Sequence, residues 1–526
     1  MTTDHFDIII IGSGAGGGTM LHRLAPSGKR ILVLERGDFI PRERENWDQR
    51  EVFSNGRYQA RETWLDKDGG EFRPYTHYCV GGNTKVYGAA LLRLREEDFV
   101  ERPHYGGVSP AWPISYDELE PYYTQAERLY QVHGLAGADP TEPRRSGPYP
   151  YPPVEYEPRM LEIAEGFEAQ GLRPFPCALG VRLGEGSSAP RPRRVLSNFD
   201  GYPDLTETKA DAEVVCVNPA LDAPNVTLVT GALAKRLETD PTGREIRAVV
   251  VEREGRAERY TADVFILACG AINSAALLLR STDAHHPRGL ANSSGLVGRH
   301  YMCHNNGMVI AITDTPNPSQ FQKAFAISDY YHGADDSDLP LGLIQLMGKP
   351  DEAFLEQVAR PHLQGVPAGE LWTRTVDFFI TTEDLPLPDN RVEIDADGRI
   401  RLAYHENNRE AYDRLRAKLV ACFDRIGCSS GRCVHTAAYV GPKLGVSGVS
   451  HQNGTLRFGA DPRASVLDVD CRAHDLDNLY VADASFFPSC GAVNPSLTIM
   501  ANSLRVGDRI LERLNVSARR PAATAV

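Results

Sequence analysis

The sequence predicts an α/β fold in which a nucleotide-binding βαβ domain, discontinuous along the chain, is joined to a second α+β domain built on a mostly antiparallel sheet. Three observations carry that expectation. Asp7-Ile8-Ile9-Ile10-Ile11 is an apolar run too short for a helix, and it runs straight into a cluster of glycines. Arg30-Ile31-Leu32-Val33-Leu34-Glu35 is a second short apolar run, ending in an acid. After about residue 304 the pattern changes, and alternating segments such as Arg374 to Thr381 and Arg391 to Ile394 replace continuous apolar runs.

Between the first two runs, Thr19 to Ala25 reads as a helix, which completes a strand, tight turn, helix and strand. From Pro103 to Pro153 the text is rich in Pro, Gly and Tyr, with one helical stretch from Tyr116 to Tyr130. It is expected to cover the core rather than build it. Asn225 to Val229 and Ala262 to Cys269 read as buried strands, and Ala271 to Arg280 as a helix, so the nucleotide domain resumes there. A helix from Arg409 to Ile426 belongs to the second domain. Asn478 to Asp483 and a helix from Pro495 to Leu514 close the first domain. The expected division is 1–98, 210–303 and 452–516 for the nucleotide domain and 99–209 with 304–451 for the substrate domain and covering loops. Residues 517–526 are expected to be a disordered tail.

At 526 residues the chain exceeds the size at which one core keeps growing, so two domains and a sizeable buried site are expected. With 57 Lys and Arg against 70 Asp and Glu, a formal charge of -13 with its basic residues scattered disfavours a nucleic-acid partner. No segment approaches the roughly 20 apolar residues of a membrane span, and Met1 to Asp7 lacks the parts of a secretory signal. A cytoplasmic protein with no membrane partner is expected. The 10 cysteines include no C-x-x-C pair, which points to reduced thiols and no metal site.

Gly12-Ser13-Gly14-Ala15-Gly16-Gly17 fits G-x-G-x-x-G. Gly12 makes the turn, Gly14 admits a pyrophosphate, and Gly17 lets helix and strand approach. Glu35, about 20 residues further on, is placed to accept hydrogen bonds from a ribose diol, and an acid there disfavours a 2′-phosphate. FAD and NAD both remain open at this point. Gly81-Gly82-Asn83 opens a second glycine loop, readable either as a plain turn or as a close approach of backbone to a flat ring. His451-Gln452-Asn453-Gly454-Thr455 sets one histidine beside a glycine turn, and a lone histidine is more often structural than catalytic. In Cys490-Gly491-Ala492-Val493-Asn494-Pro495, the proline pushes Asn494 into an extended conformation and starts a helix, so Asn494 projects at a helix mouth of partial positive charge.

Taken together, these motifs resemble the glucose-methanol-choline oxidoreductases, a family of FAD enzymes that oxidise alcohols. The resemblance covers nearly the whole chain, since Asp389-Asn390-Arg391-Val392 and Asn478-Leu479-Tyr480-Val481-Ala482-Asp483 also stand in the family's order. It implies FAD contacts at Gly12, Gly14, Gly17, Glu35, Gly81, Gly82, Asn83, Asp483, Ala484, Asn494 and Pro495. It also implies that His451 takes the hydroxyl proton while hydride leaves the carbon for flavin N5, with Asn494 holding the substrate oxygen. Members with covalent flavin carry a histidine where this chain has Val86, so dissociable FAD is expected, and nearby Cys79 is expected to be inert packing. Gly82 to Gly88, Trp112-Pro113 and Pro121-Tyr122-Tyr123 resemble bacterial branches acting on sugars, glycosides and aminoglycosides. The implied partners are an alcohol or sugar and oxygen or another electron acceptor. Two alternatives stand beside this reading: a hydroxynitrile-type lyase of the same fold, and an NAD-dependent dehydrogenase.

Overall fold

The computed structural model describes residues 5–183, 199–349, 352, 355, 371–429, 431–437 and 450–516. The strand His5–Ile11 leads through a glycine turn into the helix Ala15–Leu24 and then the strand Ile31–Leu34. Ile31–Leu34 is buried throughout and His5–Ile11 over most of its length, which is why both read as unbroken aliphatic runs.

The sheet then gathers strands from distant parts of the chain. In space it runs Val226–Val229, Ile31–Leu34, His5–Ile11, Arg256–Leu267, with every neighbouring pair parallel. Arg256–Leu267 does two things along its length. Its first half pairs antiparallel with Ile246–Arg253, which in turn pairs with Leu233–Thr239. Its last three residues pair in parallel with Leu479–Val481. The late strand thus takes the place vacated where the antiparallel hairpin peels away, and the interruption in sequence is closed in space.

Two expectations need correcting. Val226–Val229 is an edge strand with a single partner, and none of its four residues is buried, so its apolar composition reflects β preference rather than a position inside the sheet. The stretch from Pro103 to Pro153 does build core: Trp112, Ile114, Leu119, Tyr123 and Tyr130 sit in the principal cluster. The helix Tyr116–Leu129, started by a Ser115/Glu118 capping box, buries Tyr116, Leu119, Tyr123 and Ala126 along one face. Tyr123 shares a 2.8 Å hydrogen bond with Thr498 of the C-terminal helix Ser496–Arg513. The helix itself was expected; its place in the core was not, because that depends on the C-terminal helix packed against it.

The second sheet has six strands in the order Cys433–Ala437, Asn305–Ile312, Thr375–Thr382, Leu343–Leu346, Phe325–Ile327 and Phe175–Pro176, all antiparallel. Its two faces follow from period-two alternation. Val309, Phe378, Ile380 and Ile344 pack with residues of the helices Pro158–Glu168 and Arg409–Ala421 in a second core. Met308 and Phe379, paired in register, line a cavity instead. The expected helix from Arg409 to Ile426 breaks at Cys422 into a short 3₁₀ turn that ends on left-handed Gly427. The expected tail, 517–526, lies outside the described residues. Among the described residues no helix is long and apolar enough to cross a membrane, and no cluster of three or more His, Cys, Asp or Glu could hold a metal.

Candidate active site

The glycine turn divides its labour. Gly12 has a φ of 103°, and a Cβ there would stand 2.3 Å from the Ala268 carbonyl oxygen. A Cβ on Gly17 would stand 2.0 Å from the Gly12 oxygen, and one on Gly16 only 1.5 Å from the Ala482 oxygen. These three let helix Ala15–Leu24 sit against two strands. Gly14 differs, because its backbone is ordinary (φ -70°) and the nearest atom to an added Cβ is Gly82 Cα at 3.8 Å. Its free side is open to a ligand approaching the helix N-terminus.

Glu35 is buried at the end of its strand and already tied to this turn. Its Oε2 accepts from Ser13 N at 3.0 Å and Ser13 Oγ at 2.7 Å, and its Oε1 accepts from Gly37 N at 3.1 Å. Burial raises its pKa, and those hydrogen bonds work against the rise. The partly exposed Arg36 beside it lies 3.5 Å from the Tyr78 ring centroid and pairs with Glu62 at 2.9 Å.

One continuous cavity of about 550 Å³ runs from this turn to the antiparallel sheet. Gly12, Gly14, Glu35, Gly82, Asn83, Asp483, Ala484, His451, Asn494 and Pro495 all line it. Gly17 and Gly81 do not. Gly17 acts through packing, and Gly81 (φ 90°) donates its N–H to Ser13 Oγ at 3.2 Å, which seats the second glycine loop on the first. Asp483 ties two elements together: its Oδ2 accepts from Gly270 N at 3.0 Å, at the start of helix Ala271–Arg280, and its Oδ1 accepts from Ser485 N at 3.0 Å. Burial raises its pKa as well.

At the far end, chain register brings the two expected catalytic residues together. Gln452–Asn453 pairs antiparallel with Met302–Cys303, Met302 opposite Asn453 and Cys303 opposite Gln452, so the next step sets His304 opposite His451. Their Nδ1 atoms are 2.9 Å apart. Gly454, left-handed and with an added Cβ placed only 2.3 Å from the His300 oxygen, turns the chain immediately afterwards. Asn494 stands just before Pro495, which caps the helix Ser496–Arg513, one residue later than a helix beginning at the proline. Its Nδ2 is 3.5 Å from His451 Nε2, and its Oδ1 accepts from Gln345 Nε2 at 2.7 Å.

Burial holds the His451 pKa well below the ordinary imidazole value, with His304 and Lys323 adding to the effect. His451 is therefore neutral at pH 7, the form a base requires. Lys323 is itself paired with Asp200 at 2.7 Å, and both line the cavity. Phe379 closes one side of His451, edge to face at 6.3 Å. The other histidines of the region lie elsewhere in the polar network: His435 is bonded to Tyr412 at 2.5 Å and His474 to Ser465 at 2.9 Å, and neither lines the cavity.

Sequence reasoning missed Ser13, His304 as a partner of His451, Gln345 and Lys323. Ser13 sits inside the glycine motif and could have been found there. Gln345 and Lys323 carry no local signal, because only sheet register brings Gln345 to Asn494, and only tertiary packing of the loop before Phe325–Ile327 brings Lys323 to the cavity.

The residues present fit FAD. The cavity is continuous between the two helix N-termini, Ala15–Leu24 and Ser496–Arg513, and Gly14 leaves open the side a pyrophosphate would occupy. Glu35 stands at one end and a neutral histidine with an amide at the other. Fold and site together define a flavin-dependent oxidoreductase acting on CH–OH groups.

Comparison with known proteins agrees. Family models described as GMC oxidoreductase match residues 6–306 and 394–503. The chain belongs to the glucose-methanol-choline oxidoreductase family. It is 32% identical to 6'''-hydroxyparomomycin C oxidase of Streptomyces lividus, over 97% of this chain and 92% of that one. It is 31% identical to paromamine 6'-oxidase of Streptomyces fradiae, over 95% and 90%. Its fold resembles a crystal structure of pyridoxine 4-oxidase from Mesorbium loti, with TM-score 0.63 and 18% identity over 96% of this chain and 99% of that one. Membership of this family sets aside the NAD-dependent dehydrogenase, and oxidase relatives disfavour the lyase.

Proposed function

We propose that the substrate is a hydroxyl-bearing carbon of a sugar, glycoside or aminoglycoside, with His451 as the base and Asn494 as the donor to the reacting oxygen. The observation that carries this is the 3.5 Å approach of Asn494 Nδ2 to His451 Nε2 on the wall of the cavity that also holds Gly14 and Glu35. When bound, FAD supplies the two-electron acceptor for the hydride lost from the carbon. His451 Nε2 takes the hydroxyl proton, and the Asn494 amide donates to the oxygen as negative charge builds on it. The N-terminus of Ser496–Arg513, directly behind Asn494, adds partial positive charge. Gly12, Gly14, Glu35, Gly82, Asn83, Asp483, Ala484 and Pro495, which line the cavity, would hold the cofactor, while Gly17 and Gly81 would shape its seat.

The sugar class is supported by the names of the two Streptomyces relatives, which oxidise paromamine and a paromomycin. Dissociable FAD is supported by Val86, which lines the cavity and offers no attachment point, and by Cys79, whose thiol burial pushes far up and which does not line it. The nucleotide domain comprises 1–98, 210–303 and 452–516, and 99–209 with 304–451 form the substrate domain and covering loops, of which Tyr116–Leu129 packs into the principal core. A cytoplasmic setting is supported by ten free cysteines. The final oxidant would be oxygen or another electron acceptor.

The test is anaerobic addition of paromamine, and separately of methyl α-glucoside, to the yellow holoenzyme. Bleaching of the flavin by a sugar hydroxyl, with recovery of colour on admitting air or a dye, is the expected result. Bleaching by simple alcohols alone would sink the sugar assignment, and cleavage of a cyanohydrin without any bleaching would restore the lyase.

A further inference from the structure

We propose that His304 is a positioning residue that fixes the tautomer of His451, so that the Nε2 lone pair of His451 faces the cavity. This rests on the reading of His451 as the base. His304 Nε2 lies 3.2 Å from the Cys490 carbonyl oxygen. A carbonyl only accepts, so that nitrogen carries the ring proton. His304 is completely buried, and burial lowers its pKa, so the ring is neutral and its Nδ1 is a bare lone pair. The 2.9 Å contact between the two Nδ1 atoms then requires the proton to sit on His451 Nδ1. A neutral His451 protonated there has its lone pair on Nε2, the nitrogen beside Asn494.

The ring planes are twisted by 89°, but with the nitrogens 2.9 Å and the centroids 5.0 Å apart the rings meet nearly nitrogen to nitrogen, so an in-plane N–H of one faces the other's lone pair. The amide of Asn306 is 3.3 Å from the same His451 nitrogen, and a half-turn of that amide presents its oxygen there as an acceptor. The shorter contact, to a histidine whose own proton is committed to Cys490, therefore decides the tautomer.

The groups behind His304 reinforce the arrangement. Glu383, buried near the Cys490–Gly491 turn, accepts from Ser109 Oγ at 2.6 Å and lies 3.1 Å from His104 Nε2. Against the cost of burial, the hydrogen bond from His104 holds Glu383 below its ordinary range, so it stays ionised. Its charge favours positive charge on the histidine pair. Once His451 Nε2 accepts the substrate proton, the imidazolium keeps its Nδ1–H on His304, and the Cys490 carbonyl takes up the polarisation. Lys323 on the cavity side opposes that charge. Among the described residues, the charged groups facing the pair are Glu383 from behind and Lys323, paired with Asp200, from the front.

The experiment is ¹⁵N-histidine NMR of the holoenzyme, with the His451 ring assigned by its disappearance in His451→Ala. The expected parent spectrum shows His451 protonated on Nδ1. His304→Asn keeps an acceptor on Cγ and retains that tautomer, whereas His304→Leu loses it. With paromamine as reductant, His304→Leu slows flavin reduction on the order of 10- to 100-fold at unchanged FAD content and KM, and His304→Asn recovers most of the rate. A parent His451 protonated on Nε2, or a His304→Asn spectrum with the opposite tautomer, would overturn the proposal, even if the leucine variant failed to fold. Reduction of His451→Ala at the parental rate would instead overturn the base assignment, leaving the tautomer result to stand on its own.

Discussion

Gly14 and Gly17 occupy the same motif, yet substitution should separate them cleanly. Gly14→Ala places a methyl 3.8 Å from the nearest protein atom, at a φ of -70° that alanine adopts freely, so the apoprotein has nothing to relieve. The methyl instead fills the side on which the pyrophosphate approaches. Displacing that group from two backbone N–H donors forfeits about 1.5–3 kcal/mol for each hydrogen bond to a charged partner. The expected loss is therefore about 3–6 kcal/mol, or roughly 10²- to 10⁴-fold in FAD affinity. Gly17→Ala drives its methyl to 2.0 Å from the Gly12 oxygen and must spread helix and strand, so its cost falls on folding. Thermal melting of the two apoproteins, with titration of FAD fluorescence, measures both quantities. Parental FAD affinity in Gly14→Ala, or an apoprotein melting as low as Gly17→Ala, would refute this division of roles.

Three further outcomes follow from the same geometry. Acid precipitation should leave a colourless pellet and yellow supernatant, because Val86 cannot bond the flavin; colour held by the pellet would contradict dissociable FAD. Gln345→Leu frees the Asn494 amide to rotate and should slow flavin reduction on the order of 10-fold with FAD content unchanged, as partial loss of an oriented donor would; an unaltered rate would remove Gln345 from the site. Asp377 is buried, with one carboxyl oxygen unpartnered among the described residues, and burial raises its pKa to about 7. The unfolded chain ionises near 3.8 and the folded one only near 7, so stability is lost as pH rises between those values and the penalty is complete above about 7. Asp377→Asn keeps an acceptor for Gln322 and removes the penalty, so its advantage in melting temperature over the parent should grow from pH 5 to pH 8; an advantage independent of pH would show that the carboxyl is not the cause.

Much of the site was legible because chemistry and backbone constraint coincide locally. Gly12, Gly14 and Gly17 announce a turn that no other residue builds, and Glu35 ends the next strand at a fixed remove. Gly454 after His451, and Pro495 after Asn494, mark the two chain reversals that aim those side chains. His304, Gln345 and Phe379 were not legible as a group, because they meet His451 and Asn494 only through antiparallel pairings between segments far apart in sequence. The same holds for Leu479–Val481, a three-residue strand whose place beside Arg256–Leu267 is a property of the sheet. Tyr116–Leu129 was legible as a helix but not as core, since its burial depends on Ser496–Arg513 lying across it.

The central claim is that one cavity holds flavin at the glycine turn and moves a proton at His451, and stopped-flow flavin reduction of His451→Ala tests it most directly. Under anaerobic conditions with paromamine, the variant should retain full FAD, because the cofactor's seat from Gly12 to Glu35 is untouched, yet reduce it on the order of 10²-fold or more slowly. Asn494→Ala should slow the same step less, on the order of 10- to 100-fold. Flavin reduction at the parental rate in His451→Ala, with FAD fully bound, would contradict the account and place the base elsewhere.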